Sequence, residues 1–167
     1  MNSEGGIVAA IEDARTRHEA ILNLILITDQ QAMTLLGFYL TLATATATGL
    51  AAAFAPASPI PTIAGCALAS ATMSLLIGAA LCFVAMKMTR VNAPGKAPDF
   101  WLWAIKNDGV SLQTAAVAYL DQLNPMQDAN RDLNLRTARA LWVAKIFGMA
   151  TPLVALIGAG TGLAIGA

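Results

Sequence analysis

Charge is missing from two long stretches of this 167-residue chain. No Asp, Glu, Lys, Arg or His lies between Asp29 and Lys87, and none follows Lys145. This excludes an ordinary water-soluble helical domain, whose surface helices carry a polar face. About 20 apolar residues already suffice to cross roughly 30 Å of hydrocarbon. Cysteine is scarce as well. Cys66 and Cys82 fall on one expected helix, about 24 Å apart at 1.5 Å rise per residue, which excludes a disulfide between them within one chain and with it a secreted disulfide scaffold. They read as small apolar fillers. The one histidine, His18, has no Cys or His neighbour in sequence, so neither metal nor other cofactor is expected.

What is present is apolar. Hydrophobic residues make up 57% of the chain against 12% charged, with a mean hydropathy of +0.62, far from the averages of a soluble domain. The first uncharged stretch is long enough for two crossings. It is broken at Ala55-Pro56-Ala57-Ser58-Pro59-Ile60-Pro61, where prolines remove backbone donors and disfavour helix on their N-terminal side. The pattern predicts a hairpin of spans over 32–54 and 62–86, and a third span over 141–165. Ala53-Phe54-Ala55 resembles a signal-peptidase site, but the acidic residues before it and the length of the apolar run argue against a secretory signal. The expected class is an all-α membrane protein with four segments: an N-terminal amphipathic helix (1–31), a transmembrane hairpin (32–86), a helical segment (87–140) and a third transmembrane helix (141–167).

The basic residues are unevenly placed. Arg15 and Arg17 precede the first span and the other eight, from Lys87 to Lys145, lie between the second and third; the hairpin tip has none. The positive-inside rule then puts the N-terminus and the 87–140 segment in the cytoplasm, and the hairpin tip and C-terminus in the periplasm of a bacterial inner membrane. Three spans require termini on opposite sides, in agreement with the charge count.

On the cytoplasmic side, Ile7, Val8, Ile11, Ala14, His18, Ile21, Leu22 and Ile25 recur at helical spacing and predict an amphipathic helix running on into the first span unless it bends near Asp29. His18 reads as a helix–helix contact residue. Beyond the turn-rich 91–98 link, Asp99 is expected to cap a short helix bearing Phe100, Trp101 and Trp103, aromatics suited to the headgroup level. A further helix is expected over 110–123, with Leu112, Ala116, Tyr119, Leu120 and Leu123 on one side and Asn124-Pro125 at its end, and another from Met126 into the third span, with Met126, Ala129, Leu133, Thr137, Ala140 and Leu141 on one face and two short-range ion pairs, Asp128 with Arg131 and Asp132 with Arg136.

Each span also carries small residues every fourth position: Gly37, Thr41, Ala45, Gly49 and Ala53 in the first, Cys66, Ser70, Ser74 and Gly78 in the second, and Gly158, Gly162 and Gly166 in the third. Such stripes let helix backbones approach closely in lipid. They fit either a homo-oligomer or tight packing within one chain. Pro152 cannot donate to the carbonyl of Gly148, so a kink is expected there; with Asp29 these are the candidate hinge positions.

Chemistry is sparse. The sequence holds no nucleophile–base set, no phosphate-cradling glycine loop and no Asp, Glu, Lys, Arg or His deep within a span, which argues against an enzyme and against a proton-coupled transporter. Arg131, Arg136 and Arg139, with Trp101 and Trp103, suit an anionic ligand that carries a base. They equally suit lipid phosphates and interfacial anchoring.

The segment from Ile21 to Gly37, ILNLILITDQQAMTLLG, resembles the start of the small membrane effectors of bacterial Pycsar antiphage systems. Asp29 and Ala32 match that family's lead into its first span, while Gln31 stands where the family has a lysine. The order of hairpin, helical segment with an aromatic patch, and polar helix with Asn130, Asn134 and Arg139 entering a last span is similar too. The resemblance implies the killing arm of a two-gene system: a neighbouring pyrimidine cyclase makes cyclic CMP or cyclic UMP, and that messenger turns the effector against the inner membrane, ending in abortive infection. Nucleic acid is not an expected partner. A non-enzymatic membrane scaffold and a holin-like lesion former are the competing expectations.

Overall fold

The computed structural model describes residues 4–56, 58, 60–86, 91–107 and 109–166. Four helices account for nearly all of them: α1 (Glu4–Ala53), α2 (Thr62–Ala85), α3 (Pro98–Lys106) and α4 (Leu112–Gly166), with no strand among the described residues. α1, α2 and α4 are long and apolar enough to cross a membrane. The protein is an all-α, multi-pass membrane protein. A helix is the form such sequences must take in lipid, because every backbone donor has to find its partner inside the segment.

The chain forms two compact units, one from Met1–Ile27 and Met88–Leu135, the other from Thr28–Lys87 and Arg136–Ala167. The second unit contains the uncharged stretches. Its core is built of small side chains, with Ala32, Ala43, Ala79, Cys82 and Ala144 buried around Tyr39, Leu75 and Leu141. Large apolar side chains point the other way: Phe38, Phe83, Met149, Leu156 and Ile157 are exposed. Lipid is the solvent that accepts that inversion.

Two glycines make room for the largest core residue. A Cβ on Gly78 would meet the Tyr39 ring at 3.0 Å, and one on Gly148 would meet the same ring at 2.9 Å, so the ring lies between α2 and α4 where neither has a side chain. Its hydroxyl donates to the carbonyl of Ala144 at 2.7 Å. Tyr39→Phe is expected to cost about 1 kcal/mol, the usual worth of one buried hydrogen bond, read as a lowered melting temperature in detergent.

The small-residue stripes meet in part. A Cβ on Gly158 would lie 2.6 Å from the carbonyl oxygen of Cys66, and one on Gly162 would lie 2.8 Å from the Cα of Ile63, so the glycines of α4 face the Cys66–Ser70 side of α2 at backbone distance. Ser74 hydrogen-bonds Phe147 O at 3.3 Å and Thr151 Oγ1 at 3.2 Å. Gly49 faces Leu68 at 3.2 Å. Gly37 is different: nothing lies within 4 Å of a Cβ there, and Thr41 and Ala45 beside it on the stripe are exposed. The exposed threonines of α1 return their hydroxyls to their own helix. Thr34, Thr41, Thr44 and Thr48 each donate to the carbonyl four residues back, at 2.8 to 2.9 Å.

The expected breaks are fewer than the sequence suggests. α1 continues through Asp29 and α4 through Gly148 and Pro152, so all three candidate hinge positions lie inside unbroken helices. Asn124-Pro125 does not end a helix either; α4 runs through it. The missing donor of Pro125 leaves the Asp121 carbonyl unpaired within the helix, a cost of about 3 kcal/mol. Both residues are exposed, so water relieves part of it, while Leu123, Gln127 and Asn130 are buried on one continuous face. That burial outweighs the local break. α4 begins one turn after the α3 helix ends, with Ser111 Oγ accepting from the Thr114 N–H at 3.1 Å as its cap.

Asp99 does not cap α3. Ala97 is the capping residue, Pro98 holds the first helical position and Asp99 sits in the first turn, where its charge opposes the positive end of the helix dipole. The Asp108-Gly109 pair is a turn signal that predicts the end of this helix; Asp108 falls outside the described residues, and Asn107 provides the C-cap, its side chain donating to Trp103 O at 2.8 Å. Among the described residues, neither Asp128–Arg131 nor Asp132–Arg136 closes as an ion pair.

Candidate functional site

The first unit carries two features with chemical potential. One is a buried polar knot. Asn130 on α4 is 1% exposed and reads both backbone groups of Asn92 in the link before α3: its Oδ1 accepts the Asn92 N–H at 3.0 Å and its Nδ2 donates to the Asn92 carbonyl at 2.8 Å. His18 on α1 is fully buried and its Nε2 sits 2.7 Å from that same carbonyl, so Nε2 is the protonated nitrogen. Nδ1 is buried with no partner among the described residues. One helical turn earlier on α4, Gln127 donates to the Ala14 carbonyl at 2.8 Å. His18 is therefore a helix-contact residue that holds a loop.

The second feature is aromatic. Phe100 and Trp101 on α3 meet edge to face at 5.1 Å, Phe100 and Trp103 lie 5.7 Å apart, and Tyr119 of α4 packs 6.4 Å from Phe100 and 6.1 Å from Trp101. Tyr119 is buried and its hydroxyl has no partner among the described residues, whereas Trp101 and Trp103 are each exposed by about two fifths. The positive charge at this cluster comes from Lys96, whose Nζ stands 5.8 Å from the Phe100 ring centroid and bonds Gln122 Oε1. Gly95, at φ 105°, turns the chain immediately before it.

The five residues expected to share a ligand are not assembled. Trp101 and Trp103 share the α3 cluster, but Arg131 lies twelve positions beyond Tyr119 on α4, roughly 18 Å along the axis. Arg136 and Arg139 belong to the other unit. All three arginines are exposed. Lys96, Tyr119 and Gln122 take the places a search for arginines passes over. Proximity in sequence gave a signal for Lys96, four positions before Phe100. Tyr119 and Gln122 carried none apart from their helical spacing.

No known family model, curated protein or solved structure matches this chain.

Proposed function

We propose that this protein is an effector of antiphage defence in a bacterial inner membrane, activated by a cyclic pyrimidine nucleotide to impair membrane integrity and cause abortive infection. It performs no catalysis of its own. Its N-terminus and the segment from Lys87 to Lys145 are cytoplasmic and its C-terminus periplasmic, as the distribution of Lys and Arg favours. The observation that carries the reading is the half-exposed pair Trp101 and Trp103 with Lys96 beside them. An indole face stacks a pyrimidine for about 1–3 kcal/mol, and an ammonium group meets the cyclic phosphate as a point charge. The three apolar helices supply the membrane half.

Thermal shift in detergent and dye release from proteoliposomes, each with cyclic CMP and cyclic UMP, test this. A ligand at a hundred times its Kd stabilises by about 2.7 kcal/mol. Release should follow the nucleotide that shifts the melting point, and Trp101→Ala with Lys96→Gln should remove both responses. No shift and no release with either nucleotide overturns the reading.

Membrane damage by several copies together fits the uncovered Gly37–Thr41–Ala45 stripe of α1, since Gly158 and Gly162 of α4 are already occupied by α2 within the chain. Gly37→Leu is expected to disperse such a homo-oligomer while shifting the melting temperature by no more than about 0.5 kcal/mol allows; mass photometry in detergent measures the first and a thermal melt the second.

A scaffold role has one observation of its own. Ile105, Leu112 and Val117 of the first unit are exposed apolar side chains, Ile105 by 77%. A partner protein covering them would make the aromatic cluster a structural support. A gene neighbour encoding a nucleotide cyclase favours the effector, one encoding a lysin the holin-like alternative.

A further inference from the structure

The second unit has a long apolar groove between α1 and α4, of about 640 Å³, floored by Tyr39 and Gly148 and flanked by Phe38, Leu42, Met149 and Pro152. That is within the usual range for a small-molecule site. Its two threonines offer no free donor to an occupant: Thr46 donates to the carbonyls of Leu42 and Ala43, and Thr151 to that of Phe147. Lys145 lines one end. Its side chain is exposed, and its one hydrogen bond among the described residues is a 3.4 Å contact with the neutral Gln31 Oε1. From Lys145 to Pro152 the α4 wall runs roughly 10 Å into the uncharged stretch. The groove thus has the polarity of an amphiphile: a cation where charged sequence resumes and a hydrocarbon-like trough leading away from it.

We propose that this groove binds one glycerophospholipid with an anionic headgroup, an acyl chain lying over Tyr39 and Gly148 and the phosphate held by Lys145. A second copy of the chain fits less well. Neither α2 nor α4 beyond Lys145 holds an acidic side chain, so either helix of a second copy laid in the groove would leave Lys145 without a counter-charge. A lipid phosphate meets that need, and a long basic side chain at a membrane surface gains about 1 kcal/mol from an anionic headgroup. The site is separate from the aromatic cluster and stands whether or not a nucleotide binds there.

The full chain, purified in detergent and examined by native mass spectrometry with equal concentrations of phosphatidylglycerol and phosphatidylcholine of the same chain length, tests the proposal. The wild type should retain one phosphatidylglycerol in preference to phosphatidylcholine by about fivefold, the ratio that 1 kcal/mol corresponds to. Lys145→Gln, an exposed change that leaves the packing alone, should bring the two lipids to parity. Met149→Trp, which fills the groove from its exposed edge, should reduce retention of both. Equal retention by the wild type, or an unchanged preference in Lys145→Gln, overturns the headgroup assignment. Retention unaltered in Met149→Trp overturns the groove. A lipid-free wild-type dimer that Met149→Trp splits would put a second copy there instead, and the proposal would fall.

Discussion

Gly158→Leu should abolish the native packing of the second unit. Even a Cβ at this position comes within 2.6 Å of a main-chain oxygen on α2, and that oxygen cannot move without dragging the helix with it. Overpacking of a core costs typically 1–3 kcal/mol when flexible side chains can yield. Here backbone opposes backbone, so a loss at or above about 3 kcal/mol is expected, and Gly162→Leu, facing the Cα of Ile63, should behave alike. Circular dichroism melts in detergent will show it. The contrast with Gly37→Leu is the informative comparison: one glycine stripe is consumed inside the chain and the other is not, so the first substitution should cost stability and the second association. Should Gly158→Leu melt like the wild type, the close approach of α2 and α4 is wrong.

Asn130→Ala should be the most damaging single change in the first unit. It strips the Asn92 N–H of its acceptor and removes a donor from the Asn92 carbonyl, two groups held by a side chain that is almost wholly buried. Leaving buried polar groups unpaired costs about 1–3 kcal/mol each; the carbonyl keeps His18, so about 3 kcal/mol in total is expected. Amide hydrogen exchange at Asn92 and its neighbours up to Lys96 should accelerate, while exchange in the α2 helix should not change. Uniform acceleration across both units would refute a local role. Because Lys96 stands at the end of this link, the variant should also weaken any ligand held at the aromatic cluster.

The spans were legible because their signal is an absence. A stretch without charge admits one solvent, and proline in the middle of it admits one break, so the helices appear at Glu4–Ala53, Thr62–Ala85 and Leu112–Gly166 with an end of each near the expected boundary. The face of α1 was also readable, with His18 and Ile25 buried on the stripe that period 3.6 marks. The face of α4 was readable in part: Ala116, Tyr119, Leu123 and Leu141 are buried where the apolar spacing marks them. Ala129 on the same reading is exposed, and the buried Gln127 and Asn130, in register with Tyr119 and Leu123, were not on it. Polar side chains that bury to hold another segment's backbone reverse the sign of the hydropathy cue. Pro125 misled for a related reason: local propensity marks an end, and burial on the face beyond it overrides the mark. At the candidate site the tryptophans were visible by type, but the cation beside them was not the expected arginine, since helix rise separates residues that look close in composition.

The threonines of α1 have an implication for movement. Their hydroxyls are satisfied by carbonyls of the same helix, so turning these faces from one apolar surrounding to another strands no donor. Among the described residues, the side-chain bonds that tie α1 to other helices of the second unit include Tyr39 to Ala144, Lys145 to Gln31, and Thr72 to Thr46 at 2.8 Å. These polar latches and the ring between two glycines hold the azimuth of α1 about its own axis, and a perturbation that frees Tyr39 would remove the one that is both hydrogen-bonded and sterically locked.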